Sequence, residues 1–450
     1  METYDIAVLG MGPGGEHVAE ALTDHGLAVL GVDRLLVGGE CPYWGCIPSK
    51  MMVRAAQLLA EARRVPDFAG STGEVRSDWS VVARRIREEA TDSWDDRVAV
   101  ERFTGKGGTF VRGTGRLTGP GRIDVDGVRF ALTRGVIVAT GASASIPPIE
   151  GLDSVPFWTN RDVVEAEELP SSIVVLGGGA IGSELSQVLA RFGVRVTIVE
   201  AADHLLGMEE PEAGEALREA LEADGVTVNL GVRARRVERD GDGVAVIIDP
   251  GRVVKAERLL VATGRRANPA EAGLESVGVP ADARFAPIDD HCRITDGVWA
   301  LGDVTGKGAF THVSMYQADI VIRDVLGLDG PPASYHALPR VTFTDPEVGA
   351  VGLTERQARQ AYANVRVGSI AMSSTTRGWI HGGSGVIKVV EDADTGVLVG
   401  ATAVGPTGGE ILGALAVAVH ARVPVDVMRS MIYAYPTFHR GIEAALQSLR

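Results

Sequence analysis

The chain has 450 residues, enough for two to four domains with separate cores, and the composition of an ordinary globular protein. Its net charge of −15, without a cluster of Lys and Arg, argues against nucleic acid as a main partner. No apolar run reaches the roughly 20 residues of a membrane span. Because no charged-then-apolar leader precedes the first strand, we expect a cytoplasmic protein with no membrane partner. With only three cysteines, the sequence does not suggest a structural disulfide framework.

Two segments share one pattern of apolar strand, glycine turn, helix and second apolar strand. The first, YDIAVLGMGPGGEHVAEALTDHGLAVLGVD, ends on Asp33, and the second, SSIVVLGGGAIGSELSQVLARFGVRVTIVE, ends on Glu200. The acid follows the first glycine of its turn at the same distance in both. The glycines of the two turns are Gly10, Gly12 and Gly15, then Gly177, Gly179 and Gly182.

This pattern is typical of dinucleotide binding. Glycines permit a tight turn and close approach of the backbone to a pyrophosphate, the helix N-terminus faces its negative charge, and the acid accepts hydrogen bonds from ribose hydroxyls. The sequence therefore predicts two dinucleotide-binding units. After Glu200 come Ala201, Ala202, Asp203 and His204, with no arginine for a 2′-phosphate, which favours NADH over NADPH.

Four further segments complete this part of the chain. SDWSVVARRIREEATDSWDDRVAV predicts an amphipathic helical stretch in the first domain. GVIVATGAS and RLLVATGRRANP are strand-like and end at Gly141 and Gly264, as paired exits from the two nucleotide units. DGVWALGDV leads into Gly302 and Asp303, where the carboxylate either holds a second polyol or lies in a surface turn.

The pattern changes from about Tyr335 onward. VTFTDPEVGAVG and SGVIKVVEDADTGVLVGATAVG alternate apolar and polar residues, with Asp-Ala-Asp-Thr-Gly as hairpin turn chemistry, which predicts antiparallel sheet. The helix-like GEILGALAVAVHA follows, and it belongs either to the core or to a subunit contact. We interpret this part as a third domain.

The segment GGECPYWGCIPSK places Cys41 and Cys46 close together, with Lys50 just beyond. The pair is a redox disulfide, a metal site or two buried thiols. A metal site would need further ligands at short spacing, and the other thiol, Cys292 beside His291, is most simply a loop residue. We therefore predict no metal.

Together these motifs, with ALGDV, FTDPEVGAVGLTE and a C-terminal YPT, resemble the class I flavin disulfide reductases over essentially the whole chain. This family includes dihydrolipoamide dehydrogenase, glutathione reductase and mercuric reductase. The resemblance implies an α/β fold with two Rossmann-like dinucleotide-binding domains and a C-terminal α+β dimerisation domain. It places FAD in residues 1–150 and 265–332, NAD(P)H in 151–264, and a homodimer interface in 333–450.

The resemblance also implies a mechanism. Electrons pass from the nicotinamide through the flavin to the Cys41–Cys46 disulfide, with Cys46 nearer the flavin and Cys41 as the interchange thiol. The thiolate is the reactive species, and a helix N-terminus favours the anion. Lys50 adds positive charge near the flavin and pairs with Glu184.

Two departures from the family pattern concern the substrate. Tyr43 and Trp44 replace the usual residues between the cysteines, either as a stacking surface or, as we favour, as packing. Lipoamide and glutathione reductases carry a histidine before the proline of the YPT segment and a glutamate five positions later. Here Tyr435 and Arg440 stand at those places.

The usual acid–base dyad is therefore missing. With an ordinary pKa of about 10, Tyr435 is a poor base but a competent hydrogen-bond donor. His439, one helical turn beyond, either substitutes for the missing histidine or is a plain surface or packing residue. Arg440 either attracts an anionic substrate or is a solvated charge. By resemblance the Tyr435–Pro436 peptide is cis.

We expect a small-molecule electron acceptor that is a disulfide or another thiol-reactive compound and needs no His–Glu base. The departures disfavour lipoamide and glutathione, and mercury is disfavoured because no thiol follows Cys292. One alternative is a quinone-type reductase with direct electron transfer from the flavin. A second is a redox-sensing flavoprotein without turnover.

Overall fold

The computed structural model describes residues 1–450. The strands are β1 Glu2–Leu9, β2 Val29–Asp33, β3 Thr109–Arg112, β4 Gly115–Gly119, β5 Arg122–Val125, β6 Val128–Val138, β7 Ala142–Ala144, β8 Ser172–Leu176, β9 Arg195–Val199, β10 Thr227–Asn229, β11 Ala234–Asp240, β12 Gly243–Ile248, β13 Arg252–Ala256, β14 Arg258–Val261, β15 Arg265–Ala267, β16 Arg293–Thr295, β17 Val298–Ala300, β18 Pro339–Thr342, β19 Glu347–Gly352, β20 Val365–Ala371, β21 Val386–Asp392 and β22 Val397–Gly405.

The α-helices are α1 Pro13–Asp24, α2 Glu40–Tyr43, α3 Cys46–Phe68, α4 Trp79–Arg85, α5 Arg97–Gly105, α6 Asn160–Glu165, α7 Ala180–Arg191, α8 Pro211–Ala223, α9 Thr311–Leu326, α10 Glu355–Ala361, α11 Thr376–His381, α12 Gly408–His420, α13 Val425–Ser430 and α14 Gly441–Gln447. Short 3-10 helices cover Leu152–Ser154, Leu274–Val277, Gly302–Thr305 and Met372–Ser374, and Ile86–Ala90 is a π-helix.

The chain divides into two compact units, and the first comprises residues 1–49, 83–145 and 264–334. Its main sheet has the order β16-β17-β6-β1-β2-β3, in which β17, β6, β1, β2 and β3 run parallel. The antiparallel strands β4 and β5 extend from β6. The parallel strand β1 is buried along its C-terminal half, because its residues from Ile6 to Leu9 lie within the core.

The second unit comprises residues 50–82, 146–263 and 335–450. It contains the parallel sheet β10-β9-β8-β14 and the antiparallel sheets β11-β12-β13 and β18-β19-β22-β21-β20. The hairpin turn between β21 and β22 and the helix α12 are where the sequence predicts them. The α/β fold class is confirmed, whereas the three-domain division with its boundaries stays a prediction.

The predicted amphipathic stretch in residues 77–100 is not one helix. It consists of α4, the π-helix and the start of α5, and the turn before α5 contains three successive non-glycine residues with positive φ. These are Asp92, Ser93 and Trp94, at 47°, 58° and 58°. The periodicity of apolar residues does not reveal this break, because Asp92 and Ser93, which tolerate the turn, also fit the exposed face of a helix.

Candidate active site

The first glycine turn connects β1 to α1. Gly10 has φ of +97°, and a side chain there would collide with the backbone of Ala139. No atom lies within 4 Å of the position that a Cβ on Gly12 would occupy. Asp33 accepts the Met11 N–H and the Leu35 N–H through its two oxygens, both at 2.7 Å. The turn is thereby fixed, and free space remains at Gly12.

The second turn, from β8 to α7, has the same geometry. Gly177 has φ of +105°, and a side chain there would meet the Ala262 carbonyl. Gly179, like Gly12, faces open space. Glu200 accepts the Gly178 N–H at 2.5 Å and the Ala202 N–H at 2.7 Å. In each unit the acid is therefore held by the backbone of its own turn.

Both turns fit a dinucleotide. No side chain caps the N-terminus of α1 or of α7, so the N–H groups in the first turn of each helix are available to a pyrophosphate, apart from Pro13 at the start of α1, which has none. Gly15 and Gly182 each pack against the carbonyl of the first glycine of their turn, which leaves no room for a side chain. The residues present fit the two nucleotides that the sequence predicts, FAD and NAD(P)H.

In the first unit, Asp303 faces a half-buried cation instead of lying in a plain surface turn. Its Oδ2 is 3.5 Å from Nε of Arg265, whose Nη1 is 3.7 Å from Oε2 of Glu40. Burial raises the pKa of the Asp303 carboxyl, while Arg265 opposes the rise and Glu40 adds to it. The buried Arg265 Nε pairs electrostatically with Asp303 but forms no hydrogen bond of regular geometry, which fits a polar ligand at this place.

The two exit glycines take backbone conformations that side chains rarely adopt. Gly141 has φ of +68° and Gly264 has φ of +112°, and open space faces both. The Ser145 N–H donates to the Gly264 carbonyl at 2.9 Å within the first unit, beside the pairing of β7 with β15. The strand-like segments predicted around both glycines are thus present.

The cysteine segment lies against the first glycine turn. A Cβ on Gly39 would come within 2.8 Å of the Cα of Gly12, so the two backbones are in close contact. Cys41 lies on α2, and Cys46 is the first residue of α3. Both are reduced thiols, with Cys41 half-buried and Cys46 exposed.

The Thr311 hydroxyl is within hydrogen-bonding distance of the cysteine pair. Its Oγ1 is 3.4 Å from Sγ of Cys46, and Thr311 is the first residue of α9. The hydrogen bond with Cys46 raises the pKa of the Cys41 thiol, burial raises it further, and the hydrogen bond with Thr311 opposes both. Sequence reasoning missed Thr311, because AFTHV carries no motif and is remote in the chain.

Tyr43 and Trp44 pack inside the first unit. Their side chains are only 7% and 8% exposed, and their ring centroids are 5.8 Å apart. Burial raises the pKa of the Tyr43 hydroxyl, and the neighbouring carboxylate of Asp96 adds to that effect. These observations confirm the packing interpretation over a stacking surface for a substrate.

In the second unit, Lys50 and Glu184 form the ion pair that the resemblance implies. Nζ of Lys50 is 2.6 Å from Oε2 of Glu184, and the Glu184 side chain is only 8% exposed. The other carboxylate oxygen accepts the Phe343 N–H at 2.8 Å. Lys50 follows Cys46 by one turn of α3.

The C-terminal segment presents Tyr435 to solvent. Its hydroxyl donates to Oγ1 of Thr376 at 3.3 Å, and the peptide to Pro436 is cis, as the resemblance implies. Arg440 lies 5.4 Å from the Tyr435 ring and pairs with Glu443 at 3.1 Å. Arg440 therefore already has an anionic partner in its own segment.

The two histidines singled out in the sequence have ordinary surroundings. The His439 ring packs against Tyr433, with centroids 6.3 Å apart. His291 lies in a turn near Asp324, while the adjacent Cys292 is fully buried in the core. No group of three or more His, Cys, Asp or Glu side chains is arranged to hold a metal ion. Every helix falls short of the length and apolar character that a membrane crossing requires.

Comparison with known proteins supports the same class. Residues 4–318 match the pyridine nucleotide-disulphide oxidoreductase model, and residues 338–446 match the dimerisation domain of that family. A dihydrolipoyl dehydrogenase from Chlorobaculum tepidum is 33% identical over 464 residues, which is 99% of this chain and 97% of that protein. A mercuric reductase from Bacillus cereus is 30% identical and covers 98% of this chain and 71% of its own.

Solved structures agree with the fold. LpdA from Mycobacterium tuberculosis superposes with a TM-score of 0.85 at 28% identity, and 99% of each chain is covered. The flavoprotein disulfide reductase RclA from Escherichia coli, in its Cu(II) complex, gives 0.86 at 24% identity, again over 99% of each chain.

The chain therefore belongs to the pyridine nucleotide-disulphide oxidoreductases. Within that family it is an FAD- and NAD(P)H-dependent oxidoreductase that acts through a redox-active disulfide. The match to the dimerisation domain indicates a homodimer. The quinone-type and sensing alternatives are not favoured.

Proposed function

We propose that Cys41 and Cys46 are the redox pair and that their electrons go to a small disulfide or another thiol-reactive compound. The observation that carries this proposal is the cluster of Cys41, Cys46 and Thr311 beside the first glycine turn. Bound FAD would supply the two-electron transfer between NAD(P)H and this pair. The overall reaction converts NADH, a proton and a disulfide into NAD⁺ and two thiols.

The remaining site residues have supporting roles. Lys50, paired with Glu184, places a positive charge one turn after Cys46. Residues that would hold FAD are Gly10, Gly12, Gly15, Asp33, Gly141 and Asp303. Residues that would hold NAD(P)H are Gly177, Gly179, Gly182, Glu200 and Gly264.

Proton supply separates this protein from lipoamide and glutathione reductases. Because its pKa is raised, the Cys41 thiol stays protonated at neutral pH and needs help to become a nucleophile. Tyr435 is exposed and donates hydrogen bonds, whereas Arg440 is paired. An acceptor with a good leaving-group thiol needs no strong base, so we infer that such compounds are the substrates.

NADH is the preferred reductant in this proposal. The Asp203 side chain, close after Glu200, is 94% exposed and would repel a 2′-phosphate. Nδ1 of His204 lies 2.8 Å from the Leu205 carbonyl and is directed back to the protein. We also infer that the protein works in the cytoplasm, with no partner beyond its second copy and the small acceptor.

A comparison of acceptors tests the proposal. The purified holoenzyme is assayed with NADH and an aromatic disulfide, oxidised lipoamide, glutathione disulfide or a benzoquinone, in wild type and in Cys41→Ser. We expect reduction of the aromatic disulfide to be the fastest and to fall by about a hundredfold or more in Cys41→Ser. Undiminished turnover in that variant would refute the assignment of Cys41.

A further inference from the structure

We propose that Phe343 is a positioning residue that fixes the Lys50 ammonium for the redox centre. This inference rests on the proposed function, because it assumes that Lys50 acts on the flavin and the cysteine pair. Phe343 belongs to the segment FTDPEVG, which the sequence analysis used only as a family motif. All of the contacts below lie within the second unit.

Phe343 acts on the ion pair in two ways. Its backbone N–H donates to Oε1 of Glu184 at 2.8 Å, which orients the carboxylate so that Oε2 receives Lys50 at 2.6 Å. Its ring centroid lies 4.7 Å from the Lys50 Nζ, within the range of a cation–π interaction. The same residue therefore holds both the anion and the cation.

The ring has a role that Glu184 cannot fill. The Lys50 side chain is 35% exposed, and a lysine ammonium on four flexible methylenes has many positions open to it. The Glu184 carboxylate contacts the ammonium on one side. A ring on a second side restricts the motion of the ammonium further and keeps the charge in one place.

The segment that carries Phe343 is held by one face of α7. The side-chain amide of Gln187 accepts the Asp345 N–H at 2.7 Å and donates to the Asp345 carbonyl at 2.8 Å. Nη2 of Arg191 donates to the Asp345 carboxylate at 2.8 Å. Glu184, Gln187 and Arg191 are spaced at i, i+3 and i+7 and are all buried.

This clasp, formed by Glu184, Gln187 and Arg191 on the segment 343–345, belongs to the helix whose N-terminus carries the second glycine turn. The position of the Lys50 charge is therefore set by the same rigid helix that would face the pyrophosphate of the reductant. A helix transmits such a constraint without a hinge, because each residue is hydrogen-bonded to the next turn. The helix α7 therefore holds the cation directly through Glu184 and indirectly through Phe343.

Side-chain replacement separates the two contacts of Phe343, because the backbone bond remains. Phe343→Leu removes the ring, Phe343→Tyr keeps it, and Lys50→Met removes the charge. Phe68→Leu is a matched control, since Phe68 also lies under a cation, Arg64, at 5.0 Å. Phe343 is only half-buried, and the flavin content of each purified variant reports whether it has folded.

Two measurements on the holoenzyme give the answer. One is the midpoint pH at which the long-wavelength thiolate-to-flavin absorption appears in the two-electron-reduced enzyme, and the other is the rate at which NADH reduces the oxidised enzyme. Loss of a positive charge raises the pKa of a nearby thiol, so Lys50→Met should move the midpoint upward. Phe343→Leu should move the midpoint pH upward as well, by about 0.5 pH units, and should slow reduction by NADH by about threefold to tenfold.

The controls make the outcome decisive. Phe343→Tyr, which keeps the ring over Lys50, and Phe68→Leu, which removes a ring from another cation, should both behave as wild type. A change confined to Phe343→Leu and Lys50→Met then reports the contact between the ring and the ammonium. If Phe343→Leu matches wild type while Lys50→Met changes both readouts, Phe343 is not a positioning residue and the proposed function stands. If Lys50→Met changes neither readout, the role of Lys50 in the proposed function is wrong, and this inference is wrong with it.

Discussion

At the cysteine pair, ionisation of the reduced thiols depends on the hydroxyl of Thr311, which belongs to a helix far away in the sequence. The hydrogen bond with Cys46 and burial both raise the pKa of the Cys41 thiol, and Thr311 alone among its neighbouring side chains lowers it. Because Thr311 begins α9, its backbone also places the helix N-terminus near the sulfur atoms. The competence of Cys41 as a nucleophile should therefore follow the chemistry of residue 311.

Thr311→Val tests this dependence. Without the hydroxyl, the pKa of Cys41 should rise further, so less thiolate exists at any given pH below it. The pH profile of iodoacetamide alkylation of Cys41 in the reduced holoenzyme should move to higher pH, with alkylation at pH 7 slowed by about threefold or more. Thr311→Ser, which keeps the hydroxyl, is the control. An unchanged profile in Thr311→Val would show that the hydroxyl does not support the thiolate.

The sequence predicts individual site residues well where the signal is local. Cys41, Cys46 and the glycines lie in short motifs whose spacing carries the chemistry. Thr311 lies 265 residues from Cys46 in the chain, and the contact depends on how α9 packs, which no local pattern encodes. The same holds for Arg265 beside Asp303 and for Phe343 beside Lys50.

Among the elements, the two strand–turn–helix units are the part of the fold that sequence predicts best. Their glycines are required by positive φ and by backbone collisions at Gly10 and Gly177, so only one residue type fits. The break in the stretch 77–100 was missed, because Asp92, Ser93 and Trp94 take positive φ without a glycine to mark it. Tertiary contacts there override a helical pattern.

Gly179→Ala should separate nucleotide binding from stability. Gly179 has φ of −74°, which any residue adopts, and no atom lies where its Cβ would be. The free energy of unfolding should therefore change by no more than about 0.5 kcal/mol. The new methyl group would lie where the pyrophosphate approaches the backbone of the turn, so the KM for NADH should rise by about tenfold or more.

Gly413→Ala, in α12 and also facing open space, is the control for this comparison. Thermal unfolding and steady-state kinetics on the three proteins provide the measurement. A Gly179→Ala protein with normal KM would mean that no pyrophosphate approaches the turn. A large loss of stability would mean that the space is not free.

For the whole molecule, the unpaired apolar surface of the C-terminal region points to a second copy of the chain. Ile432 is 97% exposed, and Trp379 and Met431 are also exposed. A soluble monomer rarely leaves such side chains in water, whereas a dimer buries them. The match to the dimerisation domain covers these residues.

Ile432→Asp should weaken this dimer. We expect wild type to sediment with a mass near twice the 47.3 kDa of one chain. The dimer of the variant should dissociate at protein concentrations at least about tenfold higher than those at which the wild-type dimer dissociates, because the new aspartate would be buried as a charge at the interface. Val253→Asp, on an exposed position of β13, should leave the dimer intact. Wild-type sedimentation of Ile432→Asp would place the interface elsewhere.

The grouping of the chain into compact units was the least predictable feature at this scale. Motifs locate nucleotide turns, but they do not say which segments pack together. Residues 50–82 belong to the second unit, although they follow the cysteine motif of the first. The long helix α3 begins in one unit and continues in the other, and helical periodicity contains no signal for such a boundary.

The redox role of Cys41 and Cys46 is the basis of the proposed function. It is tested most directly by anaerobic titration of the purified holoenzyme with NADH, following the absorption spectrum in wild type and in Cys46→Ser. The wild type should take up two electrons with a long-wavelength thiolate-to-flavin band, whereas Cys46→Ser should lack this band. If both proteins simply bleach to reduced flavin, the cysteines take no part in electron transfer, and the proposed function is wrong.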